Sequence, residues 1–184
     1  MKRTLAVALV AVWVLAQAMS AQAPPQMPKP GPEHKRIGYF VGNWEGEGDA
    51  KQGPLGPAGK YTFTEHNEWF PGGFFLLAHA DGKGPMGGPM GGEVKSLGVM
   101  GYNSEEKVHT YDAFNSIGMA MYAKGTVEGD TWTLTSESKM GGMPIKARFI
   151  IKELSPTSCS VKLESSMDGQ TWSTIMEGKL TKAK

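Results

Sequence analysis

From Phe40 onward apolar and polar residues alternate along the chain, and turn signals recur roughly every ten residues. The alternation predicts strands over Phe40–Ala50, Lys60–Phe70, Phe74–Gly82, Glu93–Tyr102, Lys107–Asn115, Met119–Glu128, Thr131–Lys139, Ile145–Leu154, Ser158–Ser166 and Thr171–Leu180. In the sixth strand Met119, Met121, Ala123 and Val127 are in phase. In the eighth, Ile145, Ala147, Phe149 and Ile151 alternate with Lys146, Arg148 and Lys152. Helical spacing occurs only in Glu33–Phe40, where Ile37 and Phe40 share a face. Pro71-Gly72-Gly73, Asn103–Glu106, Glu128-Gly129-Asp130 and Met167–Gln170 supply turns.

Antiparallel strands joined by short turns make an up-and-down meander, and a meander this long must hide its edges. Closure does so. The expected fold is all-β: a single antiparallel up-and-down barrel of about ten strands with a short N-terminal helix, wide enough to enclose a small-ligand cavity. Lys146, Arg148, Lys152, Lys162 and Glu164 fall opposite the apolar face, which places charge outside, as in a soluble barrel and unlike a membrane one.

The chain ahead of this pattern reads as an address. Lys2 and Arg3 precede an unbroken apolar run, Leu5–Ala16, and small residues continue to Ala23. The run is shorter than the roughly 20 residues that span a bilayer, so residues 1–20 read as a signal peptide, cut after Ala18 or Ser20. A secreted or periplasmic location follows. No Cys directly follows the run, which excludes a lipid anchor, and there is no twin arginine. Residues 21–33 carry Pro24, Pro25, Pro28, Pro30 and Pro32 and read as an extended linker. Residues 34–184 form one domain.

Composition narrows the partners. The chain of 184 residues has 19 Lys+Arg and 18 Asp+Glu; losing Lys2 and Arg3 leaves 17 against 18, a net charge of −1. No charge-based case for nucleic acid or a membrane surface remains. One cysteine, Cys159, cannot form an internal disulfide; in phase with Val161 and Leu163, it reads as buried.

Catalysis has no visible nucleophile: Gly-x-Ser-x-Gly is absent and no Ser-His-Asp set can be placed. The four histidines, His34, His66, His79 and His109, form no HxH or HExxH pattern and read as isolated surface or rim groups. His66 and His79 could share zinc across adjacent strands, but no third ligand is visible. The better pattern is a binding cavity. Tyr61, Phe63, Glu65, Asn67 and Trp69 are in phase on the second strand. His109 and Tyr111 share a face of the fifth, Met119 and Met121 of the sixth, Ser136 lies on the seventh, and Thr174 and Met176 on the tenth. An inward carboxylate is costly unless it pairs or meets a ligand, so either Glu65 marks a site with Ser136 and Thr174 nearby, or a bulge turns it to water. A few polar groups in an apolar cavity suit a small, largely apolar molecule, oriented by Glu65, Asn67 and Tyr111.

Two Met-Gly loops, 84–92 and 139–144, offer Met86, Met90, Met140 and Met143. Soft thioethers suit Cu(I), which makes copper handling an alternative to a flexible apolar lid. An enzyme using the same cavity is a third reading.

The stretch Gly42-Asn43-Trp44-Glu45-Gly46-Glu47-Gly48 resembles the opening of lipocalin-like (calycin) barrels. More closely, His34 through Lys179 is similar to the bacterial DUF1579 family, in GNWEGEG, WFPGGFFLLAH, LGVMGYNSEEKVHTYDAFNSIG, KGTVEGDTWTLT and DGQTWSTIMEGKLTK. The resemblance implies the barrel and no activity. On the opening strand Trp44, Gly46 and Gly48 share a face; Trp44 is expected to plug one barrel end, and the glycines to admit coiling and close approach. Nitrobindin-type haem barrels share a tryptophan- and glycine-rich opening strand but need a histidine on a late strand. No histidine follows His109, so haem is disfavoured and no cofactor is expected.

Overall fold

A computed structural model describes residues 27–53, 57–85, 92–140 and 142–183. Residues 1–26, which hold the expected signal peptide and part of the expected linker, lie outside the described residues with Met86 and Met90, as does the side chain of Met140. No described helix is long and apolar enough to cross a membrane.

Ten strands close into one antiparallel barrel, each paired with its chain neighbours and the last with the first. They are β1 (Gly42–Ala50), β2 (Gly59–Trp69), β3 (Leu76–Gly84), β4 (Gly92–Asn103), β5 (Val108–Asn115), β6 (Ala120–Glu128), β7 (Thr131–Met140), β8 (Met143–Ser155), β9 (Ser158–Ser166) and β10 (Ser173–Lys182). Closure between β1 and β10 pairs Gly46 with Leu180, which leaves no sheet edge unpaired. Residues directly opposite each other share a face. The chain of partners Leu180–Gly46–Phe63–Gly82 therefore traces one inner layer around the wall.

The helix α1 (Pro32–Ile37) starts inside what reads as linker, because Pro32 fits the first helical position, where no N–H is needed. It is shorter than expected. Gly38–Phe40 tightens into a 3-10 turn, so β1 begins at Gly42 and not Phe40. This segment plugs one end of the barrel. Ile37 is fully buried and Phe40 nearly so, packed with Leu76, Met100, Trp132 and Leu134. The Phe40 carbonyl accepts from Trp44 Nε1 at 2.7 Å and Asn67 Nδ2 at 3.0 Å. Arg36 reaches Glu153 at 2.6 Å, and the same carboxylate oxygen accepts from Trp132 Nε1 at 2.7 Å. The Tyr39 hydroxyl lies 2.9 and 2.8 Å from the Ser155 and Ser158 carbonyls. The plug is thus bonded to β1, β2, β8 and β9.

Strand alternation then fixes the other end. The last residues of β1, β3, β5, β7 and β9, and with them Gly84 and Met143, lie opposite the plug.

Two expectations fail here. Met119 is not an inward strand residue; β6 starts at Ala120, and Met119 sits in the β5–β6 turn, half exposed. Its N–H donates to Asn115 Oδ1 at 2.9 Å, so turn bonding claims the residue before pairing can. Thr174 does not face inward either. A β-bulge between Thr174 and Met176 inserts Ile175, and Thr174 pairs with Glu164 on the outer face. Glu164 faces outward as expected yet is buried, since Arg148 bonds it and stacks over Trp172 at 4.1 Å.

Candidate functional site

The barrel interior above the plug is walled largely by small residues. Gly46, Gly48, Ala78, Ala80, Gly82, Gly98, Ala113, Ala123 and Ala147 all occupy inner positions by register. Small walls in a ring of ten strands leave room that larger side chains would fill.

Of the residues expected to line a cavity, Tyr61, Phe63, Glu65, Tyr111, Met121, Ser136 and Met176 take inner positions above the plug. No bulge interrupts β2, so Glu65 follows its in-phase neighbours inward, opposite Trp44 on one side and Ala80 on the other. Glu65 and Tyr111 are mid-barrel, and both keep partial exposure. A side chain in the middle of a closed barrel keeps accessible surface only where empty space adjoins it, so both line an internal space.

The aromatic side chains lie where glycine lets them. A Cβ on Gly46 would strike the Phe63 ring, and one on Gly98 would meet the Tyr111 ring and hydroxyl at 2.6 Å. These rings lie flat on backbone, which widens the space in front of them. The Tyr61 hydroxyl fits against Gly48 and Gly178, buried and without a partner. Burial pushes its pKa up to about 12. A buried unpaired hydroxyl is a cost, so Tyr61→Phe is expected to stabilise the protein by about 1 kcal/mol. Urea unfolding measures this, and a loss of stability would reveal a hydrogen-bond partner for that hydroxyl.

Three expected cavity residues belong instead to the plug. Asn67, 3% exposed, donates to the Phe40 carbonyl and, at 3.2 Å, to Glu65 Oε2. Trp69 packs against the plug cluster. His109 is neither a surface group nor a rim group. It is 3% exposed, edge-on to Trp132 at 4.9 Å, with Nε2 donating to the Glu33 carbonyl at 3.3 Å. Desolvation lowers its pKa, which keeps the ring neutral. The reason is shared: the helix seats between these side chains, and nothing in their own strands announces it. Trp44 is buried in the same region with Cys159 and Leu180.

Glu65 is the chemically distinctive group. Burial raises its pKa, and the Asn67 hydrogen bond opposes this only in part. Tyr111 is likewise raised by burial, then by the nearby Glu65 charge. Cys159 is pushed up to about 12 by burial, so it is an inert thiol.

The outer histidines His66 and His79 are direct cross-strand partners. His66 bonds Asn43 at 2.7 Å, and no group of three His, Cys, Asp or Glu suited to a metal occurs among the described residues. Met143 is 59% exposed. Gly84 at the end of β3 and Met143 at the start of β8 share a barrel end but are separated around the ring by the β5–β6 hairpin. A shallow outer groove crosses β1–β4 and β10, and four of its charges are tied up in pairs, Lys83 with Glu93 at 2.9 Å and Lys95 with Asp81 at 2.7 Å.

Residues 29–182 match the model of a family described as a protein of unknown function, DUF1579. No curated protein matches the chain. Among solved structures it is similar to the crystal structure of Rv2717c from M. tuberculosis, with a TM-score of 0.57 and 14% identity, over 84% of this chain and 99% of that one. It is also similar, with a TM-score of 0.43 and 12% identity, to a structure of EF1p2_mFAP2b bound to DFHBI, over 82% and 98% of the two chains. The likeness to Rv2717c shows a shared fold.

Proposed function

This chain belongs to the DUF1579 family of proteins of unknown function, and on that premise we propose that it is an exported, non-enzymatic barrel that binds a small, largely apolar molecule in its interior. The observation that carries the reading is the mid-barrel placement of Glu65 and Tyr111, partly exposed among small side chains. A few polar groups in an apolar concavity orient a ligand, and the wall supplies the buried area. Exposed Ile117, Met119, Met143 and Met167 lie around the end opposite the plug and give an apolar approach to the interior. Export rests on the N-terminal pattern of Lys2-Arg3 and the apolar run after it.

Native mass spectrometry tests the reading on mature protein taken gently from its own envelope. A defined extra mass, released on denaturation, is expected. In parallel, Glu65→Ala is expected to weaken that ligand's binding. A bare monomer that also takes up no neutral naphthalene-type fluorescent probe would sink the proposal. An extra mass equal to copper would move the site to the Met-Gly loops.

A further inference from the structure

The inner face of β2 collects hydrogen-bond acceptors that the protein leaves unanswered. Glu65 has one partner on its carboxylate, the Asn67 amide. Asn67 commits Nδ2 to two acceptors, the Phe40 carbonyl and Glu65 Oε2, so its amide orientation is fixed. Its Oδ1 is then buried with no donor. Buried acceptors without donors are rare in folded proteins and ask for an explanation.

No cation among the described residues supplies one. Among the described residues facing the interior above the plug, Glu65 is the only Asp, Glu, Lys or Arg. Lys60, Lys83, Lys95 and Arg148 fall on alternate positions and bond acids on the outer face. Lys182 points inward only at the plug end, where it sits over the Trp44 ring at 5.1 Å. Phe63 neighbours Glu65 on the same inner face of β2, and Tyr111 stands close enough for the Glu65 charge to raise its pKa.

We infer that the ligand is an apolar molecule carrying a protonated amine, whose ammonium group answers Glu65 and whose body lies along Phe63 and Tyr111. The inference rests on the ligand-binding reading above and specifies its chemistry. An ammonium offers three donors and no acceptor, which is what a carboxylate with a single partner needs. Its charge compensates the carboxylate, and aromatic faces attract it as well. A carboxylic acid of equal length meets the reverse situation, like charge on like with no Arg or Lys to receive it.

The test is isothermal titration calorimetry of the mature chain with decylamine, decanol and decanoate, repeated on Glu65→Gln. Gln keeps the shape and the Asn67 contact and removes the charge. Decylamine is expected to bind at least about tenfold tighter than decanol, with decanoate weakest. In Glu65→Gln the amine advantage is expected to vanish while decanol binds as before. Decanoate binding as tightly as decylamine, or an amine advantage that survives in Glu65→Gln, overturns the inference. If decanol binds with no preference for the amine, the inference fails and the binding barrel stands. If none of the three binds either protein, the binding reading fails and takes the inference with it.

Discussion

Trp132→Ala is expected to cost about 3–5 kcal/mol of stability, the upper range for losing a large buried side chain. Trp132 is fully buried at the centre of the plug. It touches Phe40 at 5.0 Å and His109 at 4.9 Å, lies under Arg36 at 5.4 Å, and donates to Glu153 at 2.7 Å. Alanine opens a cavity between helix and barrel and takes one donor from the Glu153 carboxylate. Domains of this kind have about 5–15 kcal/mol in total, so the variant should sit near the edge of folding. Urea unfolding followed by far-ultraviolet circular dichroism measures the loss. Trp172→Ala is the control, because Trp172 is only half-buried, on the outer face against Arg148. A loss under about 1 kcal/mol for Trp132→Ala, no larger than a surface substitution, would show that the plug does not hold the barrel.

Glu65→Gln is expected to stabilise the ligand-free protein at neutral pH by about 1–3 kcal/mol, the cost of a buried group whose hydrogen bonding is incomplete. The expected signature is its dependence on pH. Burial holds the Glu65 carboxyl above its ordinary value of 4.5, so the folded state keeps the proton more tightly than the unfolded chain does. Wild-type stability attributable to this group is therefore highest at low pH and falls as pH rises above 4.5 through the folded-state value. Above that value the full cost persists. The gap between Glu65→Gln and wild type should be near zero around pH 4 and open toward neutral pH. Comparing the two proteins at each pH cancels the other carboxylates. A gap that stays constant with pH, or a destabilised Glu65→Gln, would place this carboxyl in water.

How legible the site was depends on the residue. Phe63 and Tyr111 were readable as inward because β2 and β5 keep strict alternation. Thr174 was not, because the insertion of Ile175 resets the phase and no Gly or Pro marks the bulge. Met119 continues the sixth strand's apolar phase, and only the Asn115 bond to its N–H withdraws it into the turn. His109 and Asn67 occupy inner positions, but whether an inner residue meets a ligand or another part of the protein depends on what seats in the barrel end. Their partners lie 76 and 27 residues away along the chain, at the Glu33 and Phe40 carbonyls.

The sequence by itself determined the all-β class, the order of the strands and their up-and-down connection. Alternation and turn chemistry are local, and each strand carries its own signal. Closure followed from the length of the meander. The tertiary structure decided which end is plugged, where Glu65 stands relative to the space, and which inner residues pack and which line. These depend on contacts between segments far apart in sequence, and a period-two pattern gives the face of a residue without giving its neighbour.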